Sequence, residues 1–197
     1  MTSEPTPAPV DLDEPICYSD GEKRERRALG LPASEPSPRG ILGRQAPPGR
    51  TLIRKRIITA PEVLNEASEY GSAFPRGLRV DFPNGITHLL ISGTASVGAE
   101  GQTLYPADFR AQCWRTYRNI TQLLASEGAS WRDVVRTTCY LADFRSYDDF
   151  NAVRNAFYAE EGLDPFPAST CVEARICRPE LLVEIEAIAI IPRDRTR

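Results

Sequence analysis

The sequence predicts an α+β domain in two layers, with two helices on one face of a mixed sheet. Three observations predict it. The candidate elements over residues 51–191 run β-β-β-α-β-α-β-β. One long segment carries an apolar stripe at helical spacing, Phe109, Cys113, Tyr117, Ile120 and Leu124. The last strand alternates strictly, with Leu181, Val183, Ile185, Ala187, Ala189 and Ile191 on one side.

In chain order, residues 1–50 read as a disordered, Pro-rich N-terminal extension. Residues 1–50 hold nine of the 17 prolines, in runs such as SEPTPAP, PASEPSP and QAPPGR, and so little apolar surface cannot offset the entropy of ordering. Its charge is split. Residues 1–20 carry five acids and no Lys or Arg, whereas residues 21–56 carry ten Lys/Arg and three acids. A solvated tail is the reading preferred over a nucleic-acid or acidic-partner contact. Residues 51–197 form the folded domain. TLIRKRIITA, GLRVDF and ITHLLISGTA read as strands, with PEVLNEASEYG a loop or short helical piece. A helix follows from about Pro106 to Ser126, with Pro106 in its first turn and Gly128 past its end. VVRTTCYLA is a strand, and SYDDFNAVRNAFYAEEG a helix capped by Ser146 and stopped at Gly162. ASTCVEARIC and ELLVEIEAIAII are strands joined by a tight turn at Arg178–Pro179.

The wholly apolar odd face of the last strand should meet the helices. Its even face, Leu182, Glu184, Glu186, Ile188 and Ile190, is too apolar for water yet carries two acids. A subunit interface accounts for both. In the preceding strand Ser169, Cys171, Glu173, Arg175 and Cys177 share a face. If the two strands pair as a hairpin, thiols, a guanidinium and carboxylates come together. An Arg fork can hold a substrate carboxylate, and an acid in apolar surroundings has a raised pKa suited to proton transfer. An ion-pair network that only joins subunits fits the spacing equally well.

Composition narrows the chemistry. His88 is the sole histidine, which rules out multi-histidine metal sites within one chain and leaves proton transfer to carboxylates, Tyr, Cys, Lys or water. In a strand centre His88 reads as a satisfied buried residue, and Trp114 and Trp131 as packing residues. Five cysteines without C-x-x-C spacing argue against a disulfide framework or zinc knuckle. No apolar run is long enough for a membrane helix, and the N-terminus has no secretory signal, so a cytoplasmic protein is expected. Residues 57–197 carry 14 Lys/Arg and 19 Asp/Glu, which argues against nucleic acid as a main partner.

SGTASVG, VVRTTCYLADFRSYDDFNAV, FPAST and LLVEIEAIAI resemble the Rid/YjgF family of reactive-intermediate deaminases, over about Pro61 to Ile191. The resemblance implies a chorismate-mutase-like fold and a homotrimer with ligand clefts between subunits. It also implies hydrolysis of small 2-enamine or 2-imine acids, without metal or organic cofactor. By the same resemblance Ser92 and Gly93 line the pocket with backbone, Asn151 and Cys171 contribute side chains, and Glu184 handles water. Two positions depart. Ser169 stands where the family has a substrate-clamping Arg, and Phe74 stands for a pocket Tyr. Arg175, or else Arg76 or Arg79, is expected to replace the clamp. SGTASVG, QCWRTYRNI and ICRPELLVEIEA also resemble parts of chorismatases, whose pockets pair a Cys with a Glu seven residues later, as Cys177 and Glu184 stand here. The expected function is thus a Rid-like hydrolase of a small carboxylated intermediate. The alternatives are a chorismatase-like hydrolase of an enol ether, or a non-enzymatic metabolite-binding trimer.

Overall fold

The computed structural model describes residues 19–30, 33 and 53–193. The chain divides into two units, Met1–Arg50 and Thr51–Arg197. Most of the segment expected to be structureless lies outside the described residues. Within it, however, Asp20–Ala28 form a helix, α1, that the reading of the tail does not anticipate. Its cause is local. The Glu22 N–H donates to Ser19 Oγ at 3.3 Å, and the Ser19 N–H donates to Glu22 Oε2 at 2.8 Å, a closed capping box. Asp20 and Glu22 occupy the first turn, Arg26 and Arg27 the last, each sign at the favourable end of the dipole. None of its residues is buried.

Among its described residues the second unit contains six strands, β1 Arg54–Ile58, β2 Gly77–Asp81, β3 Ile86–Ala95, β4 Val134–Leu141, β5 Ala168–Glu173 and β6 Val183–Pro192. Two long helices, α2 Phe109–Ala125 and α3 Tyr147–Glu160, complete it. One sheet holds all six strands in the order β1-β2-β3-β6-β4-β5, antiparallel except for the parallel pair β4–β5. The two-layer α+β class is as expected. Val183, Ile185, Ala187, Ala189 and Ile191 are buried in the core, where the α2 residues Cys113, Tyr117, Ile120 and Leu124 are also buried. Tyr117 stacks on Phe157 of α3 with ring centroids 4.4 Å apart. Trp131 closes this cluster edge-on to Phe157 at 5.1 Å, its indole N–H donating to Thr121 Oγ1 at 2.8 Å.

Three local expectations are corrected. The helix expected from Pro106 begins at Phe109, because Tyr105 and Ala107 adopt left-handed φ of 56° and 64°, which a helix cannot contain. Asp108 caps it, accepting from the Ala111 N–H at 2.9 Å. Ser146 does precede α3 but makes no side-chain cap bond, while Gly162 ends the helix region with φ of 62°. His88 is half-buried on the open sheet face, its ring 4.8 Å from that of Phe82.

The larger correction concerns the last two strands, which do not form a hairpin. β5 pairs with β4, and β6 inserts between β3 and β4. A strand apolar on both faces belongs at the centre of a sheet, not beside a short edge strand. The connection, residues 174–182, is latched by the buried Gln112. Its Nε2 donates to Glu180 O at 2.7 Å, and its Oε1 accepts from the Leu182 N–H at 2.9 Å. Register then fixes the faces. Cys139 lies opposite both Ile185 and Cys171. Cys171 and Ser169 therefore share the helix-covered face, and Glu184 and Glu186 the other. The single reactive face expected over 169–177 and 184–186 does not exist.

Candidate active site

The ladder between β3 and β6 contains a bulge. Ile91 lies opposite Ala187 and Thr94 opposite Ile185, so Ser92 and Gly93 together face Glu186. Bulges of this kind re-aim side chains at a sheet surface. The Ser92 N–H donates to Arg76 O at 3.0 Å and its hydroxyl to Pro75 O at 2.8 Å, pinning the segment that leads into β2. Gly93 leaves room for the acid next along β6. A Cβ at Gly93 would lie 2.0 Å from Glu184 Oε1, so the carboxylate sits directly on the glycine backbone.

Glu184 opens into a cleft of about 430 Å³ beside Gly93, Cys177, Arg76, Arg178, Tyr70 and Phe74. Burial pushes its carboxyl above the usual carboxylate range. Neighbouring Glu186 adds to the rise, and the Arg76 guanidinium opposes it. Arg76 is 5 % exposed and rigidly held. Its Nε donates to Asn65 O at 2.6 Å and its Nη2 to Asn65 Oδ1 at 2.9 Å. The guanidinium carbon lies 5.4 Å from the Tyr70 ring centroid and 6.0 Å from that of Phe74. Arg178 approaches Tyr70 at 6.0 Å, with Nη1 donating to Gly101 O at 2.6 Å.

The residues expected in one pocket are therefore distributed over three places. Phe74, Gly93, Cys177 and Glu184 meet in the cleft, and Ser92 supports its wall. Asn151, Ser169 and Cys171 lie on the helix side. There Asn151 bonds Arg154, and Ser169 accepts from Thr137 Oγ1 at 3.0 Å and from Arg154 Nη1 at 3.4 Å. Cys171 is half-buried against the core, its thiol raised by burial and partly restrained by Arg154. Arg175 is exposed in a separate cleft with Glu173 and Pro179, because β5 stops at Glu173 and no longer sets its direction. Of the three suggested replacement clamps, Arg79 is occupied by Glu127 and Asp81, and only Arg76 reaches Glu184's cleft. Arg178 and Tyr70 are additions that spacing does not reveal, since three separate loops bring them together.

The glycine gives a direct test. In Gly93→Ala the new methyl must displace the Glu184 carboxylate, whose side chain can rotate, so the fold should persist. Any turnover that depends on the Glu184 carboxyl should fall about tenfold or more, since misplacement on the order of 1 Å is costly to catalysis. Steady-state kinetics together with an unchanged thermal melt would show this, and unaltered turnover would contradict the packing role.

Residues 84–191, over half of the chain, match the family model described as endoribonuclease L-PSP. The chain belongs to this family, the Rid/YjgF proteins that its motifs resemble. It is 34% identical over 85 residues to the 2-iminobutanoate/2-iminopropanoate deaminase of Escherichia coli K12, covering 43% of this chain and 66% of the relative. It thus spans just under two thirds of that enzyme. A RutC family protein of Haemophilus influenzae is 33% identical over 103 residues, covering 52% of this chain and 78% of the relative. The crystal structure of the E. coli YjgF gene product aligns with a TM-score of 0.57 at 27% identity, over 68% of this chain and 98% of that one. In this Rid/YjgF chain, Gly93, Cys177, Arg178 and Glu184 fall inside the matched segment. The wall bearing Tyr70, Phe74 and Arg76 precedes it. Among the described residues no helix is long and apolar enough to cross a membrane.

Proposed function

We propose that this protein is a Rid-type hydrolase that converts a small carboxylated imine or enamine into the keto acid and ammonia. The observation that carries the reading is Glu184, a desolvated acid seated on Gly93 and facing two guanidiniums in one cleft. Its raised pKa keeps a proton available at higher pH than an ordinary carboxylate does. In the proposed sequence the carboxylic acid protonates the enamine carbon or the imine nitrogen. The resulting carboxylate takes a proton from the water that attacks the C=N carbon. Glu184 then gives that proton to the carbinolamine nitrogen, the C–N bond breaks, ammonia leaves, and the hydroxyl proton passes back to the Glu184 carboxylate as the keto C=O forms. Arg76 holds the substrate carboxylate in place of the side chain that Ser169 lacks. The relatives named as 2-iminobutanoate/2-iminopropanoate deaminases support this substrate class.

Cys177 and Glu184 both line the cleft, which favours a second reading, hydrolysis of an enol ether such as chorismate. There Glu184 would protonate the enol carbon, water would add to the cation and return a proton to Glu184, and the hemiketal would break its C–O bond to release the alcohol and leave the keto acid. Incubating the protein with freshly generated 2-aminoacrylate and, separately, with chorismate decides between them. Accelerated loss of the first supports the deaminase, and of the second the enol-ether hydrolase. Loss of neither, with retained binding of a carboxylate, would leave a metabolite-binding protein.

The assembly belongs to the same proposal. On the open face of the sheet Glu184, Glu186 and Ile188 are half-buried, while Leu90 and Ile190 are each 37% exposed. So apolar a surface calls for a cover, and the resemblance implies a homotrimer with clefts between subunits. Ile188→Glu, which plants a charge on that face, should convert the assembly to monomer at micromolar concentration by light scattering. A wild-type monomer at that concentration would refute the trimer.

A further inference from the structure

A monocarboxylate needs one cation, and the cleft supplies two. Among the described residues neither Arg76 nor Arg178 forms an ion pair. Their bonds go to neutral acceptors, Asn65 O and Oδ1 for the first, Gly101 O and Thr103 Oγ1 for the second. These bonds fix each guanidinium without neutralising it, and they leave donors over. Arg76 retains Nη1, and Arg178 retains Nε and Nη2, with no hydrogen bond among the described residues. Arg76 is almost fully buried, and the two carboxyls whose charge acts on it, Glu66 and Glu184, are both disfavoured as ions by burial, so a charge brought from outside completes the pairing. Glu184 is the one acid lining the cleft, and burial disfavours its ionised form, so it is a poor counter-ion for two cations.

Each guanidinium carbon lies within 6.0 Å of the Tyr70 ring centroid and is bound to a different loop, Arg76 to Asn65 and Arg178 to Gly101. Leu181 and Val97 add apolar surface to the lining of the cleft. A ligand satisfying both cations therefore carries two anionic groups on a short carbon frame.

We propose that the cleft is built for a dicarboxylate, one carboxylate on Arg76 and the other on Arg178, with the reacting carbon presented to Glu184. This rests on the hydrolase reading and narrows its substrate to acidic imines or enamines. For the four-carbon case the balance is 2-iminosuccinate plus water giving oxaloacetate plus ammonia. The reaction that must supply such a substrate is oxidation of an acidic amino acid across its Cα–N bond.

Two measurements on the full chain test it. The first is calorimetric binding of unreactive probes, namely succinate, butyrate and inorganic phosphate. Succinate should bind at least about tenfold more tightly than butyrate, the value of one charge-assisted hydrogen-bonded anchor. Arg178→Gln should erase most of that margin, and Arg178→Lys should restore part of it. The second is turnover of 2-iminosuccinate and of 2-iminopropanoate, each generated in situ by an amino-acid oxidase, compared as a ratio of kcat/KM. The ratio should favour the dicarboxylate in the wild type and shrink in Arg178→Gln. Equal affinity for succinate and butyrate, or preference for phosphate, would overturn the dicarboxylate site even if imine turnover persists. Selective succinate binding with turnover of neither imine would uphold the site and sink the hydrolase reading instead.

Discussion

Glu184→Gln is expected to lower hydrolytic turnover by about 10²- to 10⁴-fold, the usual contribution of a positioned acid–base group. The amide keeps the shape that rests on Gly93 but cannot transfer a proton. The cleft should still bind carboxylates, because Arg76 and Arg178 are untouched. The same substitution should raise thermal stability at neutral pH. The folded-state pKa of Glu184 is raised by burial, so the folded protein holds this proton more tightly than the unfolded chain does. Stability from this group is therefore greatest below the ordinary carboxylate range. It declines as pH rises from the unfolded pKa through the folded one. Once the pH exceeds that folded pKa, the wild type carries a partly buried charge that the glutamine lacks. A higher melting temperature at pH 7 that disappears near pH 4 would match this account. A Glu184→Gln protein with full turnover would remove the catalytic role.

The parts of the fold that the sequence reveals are those governed by local periodicity. The alternation of 181–191 places Val183, Ile185 and Ala187 against the helices, as found, because side-chain direction in a strand follows parity alone. The stripe from Phe109 to Leu124 locates α2, and left-handed φ at Gly128 and Gly162 marks chain reversals that few other residues tolerate. Strand order is not local. β6 is apolar enough to pair on both edges, so nothing in its own residues says that β5 is excluded from it. That one ambiguity inverts the face of Cys171 and Ser169 relative to Glu184.

The candidate site divides along the same line. Glu184, Gly93, Cys177 and Phe74 are found because they sit in motifs or at a fixed spacing from one. Arg175 is misplaced because its direction was extrapolated along a strand that ends at Glu173, where the partner strand β4 has run out at Leu141. Arg178 reads in sequence as half of a turn. Its place in the cleft depends on the carbonyl of Gly101, 77 residues away, and no pattern along the chain encodes that meeting.

The second large effect is expected far from the cleft. Glu127 follows the C-terminal end of α2, where the partial negative charge of the helix makes an acid unfavourable. It is nevertheless almost wholly buried, its side chain 2% exposed, held by Arg79 at 3.2 Å and Arg56 at 2.6 Å. Arg79 in turn bonds Asp81 at 2.8 Å and Thr87 at 3.3 Å. Glu127 thus ties the end of α2 to β1 and β2, the two strands at that edge of the sheet. Glu127→Ala leaves the buried Arg79 with Asp81 alone. It should cost about 3 kcal/mol, the low end for breaking a buried pair because that second acid remains. For a domain of this size the loss amounts to roughly 6–12 °C in melting temperature. Arg56→Ala removes the exposed partner, 57% accessible, and should cost no more than about 1 kcal/mol. Burial alone would raise the Asp81 pKa, but bonds from Thr87 and Arg79, with the charge of Arg79, outweigh it and leave it lowered. Stability from Asp81 is accordingly present above its unfolded pKa and lost as pH falls through the folded one, so acid should weaken this corner first. Thermal unfolding of the two alanine variants at neutral pH tests the ranking. Equal losses, or a larger loss for Arg56→Ala, would show that the buried Arg79–Glu127 contact does not hold α2 to the sheet edge.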